Sequence, residues 1–492
     1  MTPNYPHLLF IITITLTLLY PANPLEAQEK STDYTKPYQK KALDIYRKSI
    51  SIRSAETHGM VPVLAEYLAE QFRAGGFPAE DVHVLPFTKP GGEKIAALVV
   101  RYRGNGSSGA KPILLTAHMD VVDAMPEDWE RDPFTLVEED GYFFGRGTLD
   151  DKFGTTMLTA AFLRLKAEKF IPERDLIIAF TGDEETGMIT TKGLVNEYRS
   201  LTDTEYALNA DAGGGVLNEH NQPVSYTVQA AEKTYVTFEL TMRNPGGHSS
   251  MPRADNAIYE LADVLNKIEA YRFPVRSNEI TLKYFELSGK ARSDELGEAM
   301  LRFSKNPGEE NALLLQSYPG EWSKTRTTCV ATMLRAGHAE NALPQSATAT
   351  VNCRIFPGTE IEEVKETLAK IVENQEVEIK ILKDPKASPS SPLKREIMAA
   401  LTTTVHTWYP DIPIIPEMST GGTDGLHFRA AGIPTYGVMA AFIKDDDIYI
   451  HGLNERVPVK SFYAGLEFWP ALLKELAGKK RQGDLYLPLP TK

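Results

Sequence analysis

Cysteine is nearly absent: the 492-residue chain has two, Cys329 and Cys353. That excludes a disulfide scaffold and any zinc site built from clustered thiolates. Positive charge is in deficit too, with a net charge of −13. Nucleic acid or an anionic membrane surface is therefore excluded as the main partner. The balance says little about substrate, because a bound metal sets its own local charge. No apolar run reaches the roughly 20 residues that a bilayer-spanning helix needs, and there is no internal repeat or low-complexity tract.

The nearest approach to a span is the apolar run 8–20, followed by polar chain and a small residue in Leu25-Glu-Ala27. This reads as a signal peptide over 1–27, so the mature chain is expected to be exported, periplasmic or secreted, with no stable membrane span. The run is preceded by His7 but by no Lys or Arg, which leaves an uncleaved N-terminal anchor as the rival reading. The two cysteines sit at equal distances from Asn341, in two strand-like runs. A hairpin would let them face each other, and an exported protein permits a disulfide. Cross-strand geometry is demanding, and two buried free thiols is the plainer expectation.

Apolar runs alternating with helical patterns fill much of the chain. Helices are predicted over 38–50, 60–74 and 152–166, and strands over 95–102, 112–117, 176–181 and 206–209. That alternation predicts an α/β fold with a mainly parallel sheet sandwiched by helices. From about 224 the texture changes. Strands at 234–242, 327–334, 347–355 and 377–382, with helices at 254–271 and 361–373, make a β-α-β-β-α-β order, an inserted ferredoxin-like α+β module. A polar stretch, 276–321, fits neither pattern. The first texture resumes with a helix at 393–406 and a strand at 435–439. The catalytic domain is thus discontinuous, 28–223 and 385–492, around an inserted domain at 224–384.

Chemistry-bearing residues gather just past predicted strands. His118-Met-Asp120 ends one run, Glu184-Glu185 follows another, and Asp211 follows Tyr206-Ala-Leu-Asn-Ala. Asp150 lies in Gly145-Arg-Gly-Thr-Leu-Asp-Asp-Lys152 and His451 in Ile450-His-Gly-Leu-Asn-Glu455. In such sheets ligands bind beyond the carboxyl ends of the strands. Taken singly, each residue is more often structural: a strand-end histidine, a solvated helix start, an N-cap. Together they suit two divalent cations, zinc first, with cobalt or manganese as alternatives. A pair of metals needs one bridging carboxylate. Of two adjacent glutamates, one can bind metal while its neighbour acts as general base.

In this setting the motifs Thr116-Ala-His-Met-Asp-Val-Val122, Gly145-Arg-Gly-Thr-Leu-Asp-Asp-Lys152, Thr181-Gly-Asp-Glu-Glu-Thr-Gly187, Gly246-Gly-His-Ser-Ser-Met-Pro252, Asn352-Cys-Arg-Ile-Phe-Pro-Gly358 and Gly421-Gly-Thr-Asp-Gly425 stand in order. The chain resembles the co-catalytic zinc peptidases of metallopeptidase family twenty, the acetylornithine deacetylase, succinyl-diaminopimelate desuccinylase and glutamate carboxypeptidase family. The resemblance implies that His118, Asp150 and Asp211 hold one metal. It implies that Asp150, Glu185 and His451 hold the other, with Asp150 bridging and a cis peptide after it. Glu184 would be the base and Asp120 the partner behind His118. His248 would steady the oxyanion from a lid that also makes a homodimer. Asn341, Arg354 and the loop residues Gly421, Gly422 and Thr423 would bind substrate. His338 and His427 are left outside the site. The expected activity is hydrolysis of an amide or peptide bond in dipeptides, short peptides or N-acyl amino acids. The alternatives are a deacylase without peptidase activity and a non-catalytic peptide-binding relative.

Overall fold

A computed structural model describes residues 34–479. The signal-peptide expectation lies outside them, and among them no helix is long and apolar enough to cross a membrane. The main body is a ten-stranded sheet. Its centre is a parallel block in which Ile113–His118 lies between Leu176–Thr181 and Tyr206–Asn209, with Thr435–Gly437 beyond. The first two strands are buried at every position, because helices cover both faces of the sheet. That is why they read as unbroken apolar runs rather than alternating ones. At one edge Val82–Thr88 and Lys94–Tyr102 pair antiparallel, and Lys94–Tyr102 joins Leu176–Thr181 antiparallel.

The second sheet has four strands, in the order Thr328–Ala336, Ser346–Ile355, Thr234–Arg243, Glu378–Leu382, all antiparallel. Ser346–Ile355 alternates buried and half-exposed residues. Its buried face packs with helices Ala257–Ala270 and Ile361–Val372 around Val236, Phe238, Leu261 and Leu368.

Two expectations need correction. The strand Pro223–Glu232, assigned to the inserted domain, pairs instead with Ile414–Ser419 and Gly214–Leu217 in the main sheet. The change of sheet therefore falls at Lys233, one strand later than residue 224. The cysteines are not free thiols: Cys329 and Cys353 form a disulfide. They are direct partners across the strand pair because the register shifts between Ala331 and Met333. Without that bulge Cys329 would face Arg354.

The unplaced stretch 276–321 is mostly helical. Asn278 caps Glu279–Lys290 and Asp294 caps Glu295–Lys305 with side-chain acceptors. Their apolar faces, with Phe285, Met300 and Phe303, close a small core over Ile415 of the main sheet.

Candidate metal centre

Parallel pairing fixes where the strand ends fall. His118 is in register with Thr181, and Thr116 with Asn209. His118, Glu184, Glu185 and Asp211 therefore emerge on one edge of the sheet. Two loops come from elsewhere. Strand Arg456–Pro458 pairs with Tyr142–Phe144, which sets the loop bearing His451 against the loop bearing Asp150.

The result is a shared cluster. His118 Nε2 lies 2.7 Å from Asp150 Oδ1 and 3.6 Å from Asp211. His451 Nε2 lies 3.0 Å from Asp150 Oδ2 and 2.9 Å from Glu185. Ligand atoms of His118, Asp150 and Asp211 lie within 4.8 Å of one another, as do those of Asp150, Glu185 and His451. Asp150 belongs to both sets, one oxygen toward each imidazole. The Asp150–Asp151 peptide is cis.

The electrostatics of the cluster follow from its carboxylates. Burial alone would lower the His118 imidazole, but hydrogen bonds to Asp120, Asp150 and Asp211 hold it well above its usual range. Hydrogen bonds to Asp150 and Glu185 lift His451 to about 10. Burial raises Asp211 to about 6 against the pull of His118, and raises Glu184 well above the carboxylate range. Buried carboxylates outnumber the imidazoles among them. A mixed imidazole–carboxylate set of this kind fits divalent cations of the zinc class.

Neighbouring groups hold the set in place. His118 Nδ1 meets the Asp120 backbone oxygen at 3.0 Å, with the Asp120 carboxylate at 3.5 Å. That carboxylate accepts the N–H groups of both Glu184 and Glu185, each at 3.1 Å. Asp120 thus orients the glutamate pair as well as the histidine, a second task not legible in the sequence. Glu455, also missed, is buried and accepts hydrogen bonds from Arg146, Gly147, Leu149 and Asp150. Its place in the His451 motif was the available signal. Asp424 accepts from Thr181 and Thr191, which ties the glycine loop to the strand before Glu184.

Two cavities open on the cluster. One, of about 700 Å³, is lined by Leu149, Asp211, Ile415, Met439, Ile450 and the inserted helices through Tyr284, Ala291, Leu296 and Met300. The other, of about 410 Å³, is lined by Glu184, Glu185, Tyr235, Arg354 and Gly422, and by His427, which was expected outside the site. Of the loop residues, Gly422 faces this cavity. Thr423 is buried and gives both its N–H and its hydroxyl to Glu232, and the Gly421 N–H goes to Ser419 Oγ. His248 and Asn341 are brought together elsewhere. The short ribbon Gly247–His248 pairs with Ala342–Leu343, Ser249 N–H donates to the Asn341 oxygen, and both side chains are exposed. Neither lines the two cavities. His338 is exposed.

Cation-dependent hydrolases are built in this way, with a carboxylate shared between two ligand sets and a spare glutamate beside them. Similarity puts this chain among them: residues 114–475 match Peptidase family M20/M25/M40, and the chain belongs to that family. It is a hydrolase of peptide or other linear amide bonds. The N-fatty-acyl-amino acid synthase/hydrolase PM20D1 of Xenopus tropicalis is 30% identical over 381 residues, 74% of this chain and 72% of that protein. A probable carboxypeptidase S-like 2 of Dictyostelium discoideum is 28% identical over 77% of this chain and 74% of its own. The M20 family metallo-carboxypeptidase Sso-CP2 from Sulfolobus solfataricus superposes with a TM-score of 0.67 at 19% identity, covering 88% of this chain and 99% of that one. At that identity the likeness is one of fold.

Proposed function

We propose that the chain is a two-metal hydrolase that cleaves the amide bond joining an acyl group, or the rest of a short peptide, to an amino acid with a free carboxylate. The observation that carries this reading is Asp150, shared by the two ligand sets with Glu184 alongside. His118, Asp150 and Asp211 would hold one ion and Asp150, Glu185 and His451 the other, zinc being the expected metal. Such ions polarise a carbonyl and acidify a water.

The chain's own residues do the rest. Glu184 takes the proton of the attacking water and passes it to the leaving nitrogen. Asp120 holds Glu184 and Glu185 by their N–H groups. Arg354, with Gly421, Gly422 and Thr423 shaping the adjoining loop, receives the substrate carboxylate. The larger cavity beyond Asp211, lined by apolar side chains such as Leu296, Met300, Ile415 and Ile450 together with Arg292, Lys324 and Glu417, would take the acyl half, and the N-fatty-acyl-amino acid named for a relative is one such substrate.

Residues 234–382 serve as lid and dimerisation domain in this reading. Thr328–Ala336 is an edge strand that exposes Val330, Met333 and Leu334 by 55–62%, and an unpaired apolar edge is a template for a second copy. His248 and Asn341 would meet the site across that interface, His248 steadying the oxyanion. The disulfide supports export to an oxidising compartment.

The test is a mass-spectrometric turnover screen of the zinc-loaded chain from residue 28, with free peptides and N-acyl amino acids as parallel panels. Release of a C-terminal amino acid from peptides establishes a carboxypeptidase. Turnover of the acylated panel alone makes it a deacylase. Silence from both panels with metal bound would overturn the proposal.

A further inference from the structure

The glycine loop on the glutamate side has little of its own to hold it. Gly421 and Gly422 bring no side chains, and Gly422 lines the cavity beside Glu184 and Arg354. Its anchors lie where the chain passes between the two sheets. Lys233, at the crossing, gives its N–H to the Ser419 oxygen at 3.0 Å. Arg354, on strand Ser346–Ile355 of the second sheet, donates to the Thr420 oxygen at 3.1 Å. Glu232, the last residue of Pro223–Glu232, accepts the Thr423 N–H at 3.0 Å and the Thr423 hydroxyl at 3.1 Å.

Glu232 does more than cap that loop. It is fully buried, and its Oε1 meets Arg429 Nη1 at 2.9 Å, on the helix Gly425–Ala430 that follows the loop. The same oxygen accepts from Ser388 Oγ at 3.2 Å. Ser388 belongs to the return crossing, and its N–H goes to Thr234 Oγ1 at 3.1 Å. Arg429 and Ser388 thus share one oxygen, and Thr423 gives both of its donors to the other. An ionised carboxylate accepts and cannot donate. Thr423 is therefore turned inward, which leaves the neighbouring Gly422 on the cavity side. One carboxylate joins the outgoing crossing, the return crossing and the loop between them.

We propose that Glu232 is a positioning residue for substrate binding: through Thr423 it sets the loop of Gly421 and Gly422 beside Arg354, so that loop and guanidinium meet one substrate carboxylate together. The inference rests on the carboxylate subsite of the reading above and adds the residue that holds it in shape. Glu232 lines neither cavity, so it acts on substrate only through the groups it holds. A binding site built on a loop keeps its geometry only where such supports fix it. The support here sits at the joint between the two sheets, so the set of the joint and the shape of the subsite are fixed at the same point.

The experiment compares N-octanoyl-leucine with its primary carboxamide, two substrates that differ by one charge at nearly constant shape, on the zinc-loaded protein. The wild type should favour the free acid by roughly a hundredfold in kcat/KM. Glu232→Gln should raise KM for the free acid by roughly tenfold, with zinc content and kcat held and the carboxamide little affected. Thr423→Val, which leaves the pair of Glu232 and Arg429 whole, should raise the same KM by roughly fivefold, and Thr423→Ser should restore it. The double variant Glu232→Gln/Thr423→Val should lose no more than the worse single one, because both act through one contact. Losses shared equally by the two substrates, or a free-acid preference that every substitution leaves intact, would overturn the inference while leaving the hydrolase reading standing. A wild type that takes both substrates equally would overturn the carboxylate subsite as well, and no turnover of either would overturn the hydrolase reading itself. Thr423→Val decides the matter where Glu232→Gln folds poorly.

Discussion

Glu455 is predicted to fix both the stability of the metal centre and its affinity for metal. Its side chain is fully buried and accepts from Arg146 Nη1 at 2.7 Å, Gly147 N at 3.0 Å, Leu149 N at 2.8 Å and Asp150 N at 3.0 Å. One carboxylate therefore closes the loop that ends in the shared Asp150, four residues from His451 in its own loop. Removing one partner of a buried ion pair costs about 3–5 kcal/mol, and each buried N–H left without an acceptor about 1–3 kcal/mol. These terms overlap, and Glu455→Ala would bring a protein of ordinary stability close to its limit. Glu455→Gln is the sharper perturbation. It keeps the volume and one oxygen for the Leu149 and Asp150 N–H groups, but turns an NH₂ toward Arg146 and Gly147. A loss of about 2–4 kcal/mol is expected from the broken ion pair and one orphaned donor. Zinc affinity should fall by roughly 10–100-fold, as when the support of a metal ligand is lost. Urea unfolding of the chelated and zinc-loaded forms, with competition titration of zinc, measures both. A Glu455→Gln protein within about 1 kcal/mol of wild type that binds zinc equally well would refute the reasoning.

Asp120→Asn keeps the shape but puts an amide where two N–H groups now find a carboxylate; kcat should fall by roughly 10–100-fold with zinc retained, and an unchanged kcat would contradict the clamp on Glu184. Stripped of metal, the protein should lose stability as pH rises. Hydrogen bonds to Asp150 and Glu185 raise His451 from 6.5 unfolded to about 10 folded. Its contribution is thus complete below pH 6.5 and gone above about 10. The Tm of the chelated protein should fall across that window, and a Tm that rises there would count against the pairing. The disulfide closes a loop of 24 residues. The double substitution Cys329→Ser/Cys353→Ser should cost about 3 kcal/mol in urea unfolding, and an unchanged midpoint would show that the link does not stabilise the lid sheet.

Much of this arrangement could be read from residue order, for a physical reason. Strands Leu176–Thr181 and Tyr206–Asn209 match the expected bounds because burial on both faces leaves a clean apolar run with polar punctuation at each end. The candidate ligands follow those ends, so the strand ends place His118, Glu185 and Asp211 in one neighbourhood. What stayed hidden depends on partners distant in sequence. Pro223–Glu232 looks like the strands after it, and its pairing with Ile414–Ser419 is what assigns it to the main sheet. The helices of 276–321 have their caps in plain view at Asn278 and Asp294, but the surface they cover is Ile415. The facing of Cys329 and Cys353 turns on a single bulge near Thr332, which the spacing about Asn341 does not reveal. Glu455 and Asp120 could be noticed as motif members, but the N–H groups they hold come from loops that only the folded chain assembles.

The most direct test of the central claim is to compare zinc content and amide turnover in wild type and Glu184→Ala. Two equivalents of zinc are expected in both proteins, because the two ligand sets are complete without Glu184, although its carboxylate lies within reach of His118 and Glu185. Amide turnover should fall by roughly a hundredfold to ten-thousandfold, the usual worth of a general base. Turnover that survives the substitution unchanged would contradict the role of Glu184, and loss of zinc with it would make Glu184 a ligand rather than the base.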